Sequence, residues 1–184
     1  MLRTLLLVPL VIVAAATSAS VSAADTYGVK FSATFRPTLG LVDASMTVSQ
    51  AEGELEWLDM NAPEGRTFEF TGDGRVRRDG NRVRWDVPPD GGQLRWRVRV
   101  DRLRGDRYDA RMTTDWALLR IDHLFPAAHV STRERERSRS TLELQGPAGW
   151  AFETRYGRIE EAVALPGSER RFVRPTGWMM AGKL

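Results

Sequence analysis

Polar and apolar residues alternate along most of this chain with a period of two, the spacing of strands that bury one face and wet the other. The clearest case is Val76 to Val100, where Val83, Trp85 and Val87 fall on one side, followed by Leu94, Trp96, Val98 and Val100. Pro88-Pro89-Asp90-Gly91-Gly92 separates the two runs, so they read as antiparallel strands with Trp85 and Trp96 as core anchors. Tyr27, Val29, Phe31, Ala33 and Phe35 form an earlier run of this kind, closed by Pro37. Leu41 to Gln50 places Met46 and Val48 inward, Glu54 to Met60 carries Leu55 and Trp57, and Thr67 to Phe70 follows. Asp79-Gly80-Asn81 is a tight-turn signal that closes a hairpin onto Arg82 to Val87. Arg95 to Leu103, Asp106 to Thr114, Ser138 to Leu144 and Trp150 to Tyr156 read as further strands. Trp116 to Phe125 fits either a strand or a short helix, stopped by Pro126. The expected architecture is all-β, a single β-sandwich-like domain of short antiparallel strands over residues 25–184.

The first 24 residues follow a different pattern. Arg3 makes a short positive region, Leu5 to Ala16 is an apolar run too short to span a bilayer, and Val21-Ser22-Ala23 resembles a cleavage site. Residues 1–24 therefore read as a signal peptide that is cleaved, leaving a periplasmic or secreted protein with no stable membrane span. The chain has no Cys, so neither a lipid-anchoring cysteine nor a disulfide is available and packing alone must stabilise the fold. Its basicity is almost wholly arginine, since Lys30 and Lys183 are the only lysines. A formal net charge of +3 is too small to argue for a nucleic-acid partner.

Candidate chemistry is sparse. Alternation puts Arg95, Arg97 and Arg99 opposite Trp96, and Arg82 and Arg84 opposite Trp85. If those two strands pair, like charges lie side by side, at about 0.2–1 kcal/mol per opposed pair. Glu52, Glu54 and Glu56 alternate in the same way and are the expected compensators. The functional reading of Arg82, Arg84, Arg95, Arg97 and Arg99 is a binding face for an anionic ligand or an acidic partner. Thr132 to Arg139, with Arg and Glu interleaved, reads as an exposed or edge segment. His123 and His129 flank Pro126 and lack the spacing of a zinc pair, although Asp115 and Asp122 could add carboxylates. There is no G-x-S-x-G elbow, and Gly72-Asp73-Gly74 precedes no helix that could cradle a phosphate. No catalytic residue, metal or cofactor is expected.

Four segments occur in a telling order: Tyr27-Gly28-Val29-Lys30-Phe31, then Gly80 to Pro88 (GNRVRWDVP), then Val98-Arg99-Val100, then Leu142 to Thr154 (LELQGPAGWAFET). Together they resemble the N-terminal domain of the glycyl aminopeptidase-like metallopeptidases, over Tyr27 to Leu184. The resemblance implies a β-sandwich-like domain followed, in that family, by a thermolysin-like zinc domain bearing H-E-x-x-H. Nothing in this sequence matches that motif, so the resemblance assigns no catalytic residue here. The family's W-x-P-G-x-Y loop corresponds to Met60 to Gly65, without its aromatic residues. The stretch Phe172 to Leu184 reads as the lead-in to more protein. The expected function is that of an exported, non-catalytic β domain packing against or recruiting a peptidase domain. The alternative is a stand-alone periplasmic binding module using the arginine face. A small hydrolase using His123 or His129 with Asp122 is the third reading.

Overall fold

The computed structural model describes residues 26–183; residues 1–24, read from the sequence as a signal peptide, lie outside them. The first half of the chain forms β1 (Thr26–Arg36), β2 (Leu41–Ser49), β3 (Leu55–Asn61), β4 (Thr67–Gly72), β5 (Arg75–Asp79), β6 (Arg82–Asp86), β7 (Gly91–Arg99) and β8 (Arg102–Arg104). The second half forms β9 (Arg107–Met112), β10 (Trp116–Arg120), β11 (Ala128–Thr132), β12 (Arg137–Gln145), β13 (Ala151–Thr154), β14 (Gly157–Arg158), β15 (Val163–Ala164) and β16 (Trp178–Gly182). The fold is all-β. Its helical content among the described residues is two single 3₁₀ turns, Pro37–Leu39 and Ile121–His123.

Three sheets are formed, in the orders β15-β12-β1-β2-β7-β4, β14-β13-β16-β10-β9-β8 and β11-β3-β6-β5. They share one contiguous core. The inner face of the first sheet carries Phe31, Phe35, Met46, Leu94 and Trp96, all buried as the alternation requires. Phe125, just after β10, meets Phe31 edge-on at 5.1 Å between ring centroids, and Phe152 of β13 lies 5.4 Å from Phe35. The second sheet is thus packed onto the first through aromatic contacts. Trp96 donates from Nε1 to the Leu124 carbonyl at 3.0 Å and stacks on Phe70 at 5.7 Å, which satisfies its one polar atom inside the core.

Two expectations need correction. The β6 and β7 runs are strands, but they do not pair: β6 lies between β3 and β5, and β7 between β2 and β4. Both edges of each strand are occupied, and the intervening Pro88 and Pro89 have no N–H with which to continue a ladder. The connection closes as a turn, with Gly91 N–H donating to the Pro88 carbonyl at 2.9 Å, and carries the chain from one sheet to another. Gly91 is required there: its φ is +90°, and a Cβ would meet the Val48 carbonyl oxygen at 2.3 Å. Nor is every pairing antiparallel, because β1 and β12 run parallel from Thr26↔Arg137 to Thr34↔Gln145. The Asp79–Arg82 hairpin forms as expected, and Trp116 to Phe125 resolves into strand β10 followed by the 3₁₀ turn Ile121–His123.

Candidate functional site

The five candidate arginines divide between two sheets. Arg95, Arg97 and Arg99 project from the outer face of β7; Arg82 and Arg84 belong to β6 in the sheet with β3 and β5. No carboxylate is shared between the two sets. The single five-arginine face is therefore not formed, because it required β6 to lie beside β7.

The compensating acids also differ from expectation. On β6, Arg82 grips Asp59 of β3 with Nε to Oδ1 at 3.0 Å and Nη2 to Oδ2 at 2.8 Å, a bidentate hold that raises the Arg82 guanidinium above its ordinary value. Arg84 donates to Asp86 at 2.9 Å and lies 4.0 Å over the Trp57 ring. Trp57 accordingly sits on the outer face of β3, with Leu58 and Met60 inward. On β7, Arg97 is held by Asp43 at 3.2 Å and Glu69 at 2.9 Å, while Arg36 takes the other Asp43 oxygen at 3.0 Å. Arg99 donates to the Gly65 carbonyl and covers Phe68. The Glu52–Glu56 segment does other work. Glu54 is buried and accepts the Ala51 and Glu52 N–H groups, Glu56 accepts from Ser131, and Glu52 meets Arg133. Glu136, within the supposedly exposed Thr132–Arg139 run, is likewise buried and accepts the Glu134 N–H.

One arginine is left over. Arg95 has no ion pair among the described residues, and it borders a trough of about 590 Å³ on the outer face of the first sheet. Hydroxyls of Ser32, Thr34, Ser45 and Thr71 line this trough, with the Arg97–Asp43–Glu69 cluster at its side. Such an arrangement can offer a guanidinium and several hydroxyl donors to an anion.

Glu69 reaches Arg97 because β4 is bulged. Phe68 opposes Arg97 and Thr71 opposes Arg95, so β4 has one more residue than β7 across this step. Glu69 has φ +55°, the only positive value at a non-glycine position among the described residues.

The histidines do not converge. His129 is exposed on β11, whereas His123 ends the 3₁₀ turn after β10. Burial and the nearby Arg66 guanidinium push the His123 imidazole down to about 4. Its Nδ1 and the Nε and Nη2 of Arg66 are buried without a hydrogen-bond partner. Burial works to raise the Asp122 carboxyl, but Arg120 at 3.0 Å and the Gly177 N–H at 3.1 Å hold it below the usual range. Both Asp122 oxygens are thereby committed away from either histidine. The Asp–His pair of the hydrolase reading is not assembled. Among the described residues no three His, Cys, Asp or Glu side chains gather in a metal-holding group.

Sequence reasoning also missed an apolar surface. Among the described residues, the large hydrophobics left exposed are Leu39 and six on β8, β9, β10 and β16, so the exposure is concentrated on one sheet. Its signal was present in β10 (WALLR) and β16 (WMMAG), which carry apolar residues on both faces.

No family model and no curated protein matches this chain. A solved structure does. The fold is similar to that of an aminopeptidase N family protein from Idiomarina loihiensis, with a TM-score of 0.59 at 12% identity. The match covers 83% of this chain but 29% of the other, so this chain spans less than a third of that protein's length. At this identity the likeness is one of fold.

Proposed function

We propose that this chain is an exported, non-catalytic β domain that packs against or recruits a peptidase domain. The observation that carries the reading is the shared fold with part of an aminopeptidase N family protein, most of which lies outside the matched region. The order of the Tyr27–Phe31, Gly80–Pro88 and Leu142–Thr154 segments supports it independently. The domain's contribution would be positional, with outer-face pairs such as Arg82–Asp59 and the Arg97–Asp43–Glu69 cluster ordering the sheet surfaces. The test is to read the coding region beyond Leu184 and the adjacent genes. A frame bearing H-E-x-x-H whose product copurifies with this domain is the expected result. Its absence from both places overturns the reading.

A second reading, a stand-alone periplasmic module for an anionic ligand, is favoured by the unpaired Arg95 at the hydroxyl-lined trough. Titration with inorganic phosphate and with citrate tests it. Binding that Arg95→Ala abolishes supports the module, and no heat of binding for either anion rejects it.

A further inference from the structure

The outer face of the β16-β10-β9-β8 half-sheet is apolar at its centre and basic at its side. Leu118 lies directly across the ladder from Met180, Trp116 across from Gly182, and Trp178 across from Arg120. Their neighbours in sequence, Ala117, Leu119, Met179 and Ala181, fill the core on the other side. A bulge in the β8–β9 hairpin pairs Leu103 with Tyr108, and the Arg111 guanidinium lies 4.6 Å over the Tyr108 ring, which extends the same face to Leu103 and Tyr108. Trp116, Leu118, Trp178 and Met180 are between 41% and 50% exposed, in a protein whose other strands keep large apolar groups inward or partly covered. A contiguous cluster of this kind marks an interaction surface.

Charge selects the occupant. Arg104, Arg107 and Arg111 have no ion pair among the described residues and outnumber Asp106, the acid without one in the same hairpin. A second copy would set these arginines against their own kind, which disfavours self-association. Strands that are apolar on both faces are those covered by protein on both sides.

We infer that this face docks a protein surface with an apolar centre and carboxylates opposite Arg107 and Arg111. That the partner is a peptidase domain rests on the reading above. Trp116 and Trp178 act as aromatic anchors, and the arginines steer the approach and set its register.

Site-specific photo-cross-linking in the source cells separates the two claims. Leu118→p-benzoylphenylalanine probes the face, and Thr34→p-benzoylphenylalanine probes the trough on the first sheet. The expected result is an adduct from position 118 to a chain identified by mass spectrometry as bearing a peptidase domain, reduced at least fivefold by Arg107→Glu with Arg111→Glu. An adduct to that peptidase from position 34 alone keeps the peptidase reading and overturns the assigned face. An adduct from position 118 to a non-peptidase protein, still sensitive to the arginine reversals, keeps the face and removes the peptidase. Adducts only to a second copy of this chain, or none at all alongside binding to phosphatidylglycerol vesicles, overturn the inference. A peptidase adduct indifferent to the arginine reversals overturns its charge argument.

Discussion

Leu118 and Met180 face each other across the β10–β16 ladder with both side chains outside the core, while Leu119 and Met179 make the corresponding pair inside it. One ladder therefore carries an apolar pair on each face, and only one is buried in this chain.

That asymmetry separates stability from recognition. Leu118→Gln combined with Met180→Gln changes side chains that are 45% and 44% exposed and outside the core, so unfolding in urea should shift by no more than about 1 kcal/mol. Leu119→Ala deletes fully buried methyl groups and should cost about 2–5 kcal/mol. A large loss of stability in the outer double variant would mean that the outer pair is already packed in the isolated chain.

Trp96 joins three parts of the core: it stacks on Phe70 of β4, meets Phe125 edge-on, and donates to the Leu124 carbonyl. Trp96→Phe keeps an aromatic body but leaves that buried carbonyl without its donor, an expected cost of about 1–3 kcal/mol. Trp96→Ala should cost about 3–5 kcal/mol. Equilibrium denaturation of both variants measures the separation, and a Trp96→Phe variant as stable as the parent would remove the hydrogen bond from the account.

Much of the fold could be read from alternation alone, since period two tells which face of a strand is buried. The inward Tyr27–Phe35 set, Trp85 and Trp96 follow directly from it. Alternation does not say which strand lies beside which. That is why β6 and β7, adjacent in sequence, were expected to pair, and why their five arginines were gathered into one face. The pairing depended on β2 and β3, which take an edge of β7 and of β6 respectively, and these contacts are distant in sequence. Trp57 was misplaced for a related reason: the ladder between β3 and β11 shifts register between Ser131 and Thr132, and Trp57 and Leu55 no longer share a face. The apolar surface was hidden because a strand that is apolar on both sides has no alternation to detect.

Glu69 offers a test of whether the β4 bulge is strained. A left-handed backbone is unfavourable for a residue with a Cβ by about 1–2 kcal/mol, whereas glycine adopts it freely. Glu69→Ala loses the Arg97 contact and retains the strain; Glu69→Gly loses the same contact and relieves it. The glycine variant should therefore be the more stable of the two by about 1 kcal/mol, in urea melts run side by side. Equal stabilities would show that the bulge imposes no penalty on the native residue.

His123 should make stability depend on pH in a window above the carboxylate range. Unfolded, its imidazole takes up a proton near pH 6.5; folded, burial first and the Arg66 guanidinium second delay that to about pH 4. Between those values the unfolded chain binds more protons than the folded one, so stability must fall as pH drops from 6.5 towards 4. Arg102 opposes protonation as Arg66 does, while Asp109 and Asp122 favour it, and the net direction is downward. The lowered carboxyls of Asp122, Asp115 and Glu143 act in a lower range, losing their contribution as those groups protonate below about pH 4. His123→Gln removes the titrating imidazole while keeping a polar side chain at the site. Denaturation midpoints at pH 7, 6 and 5 should decline in the parent protein and stay nearly level in His123→Gln. A variant that declines as steeply as the parent would assign the pH dependence to another group.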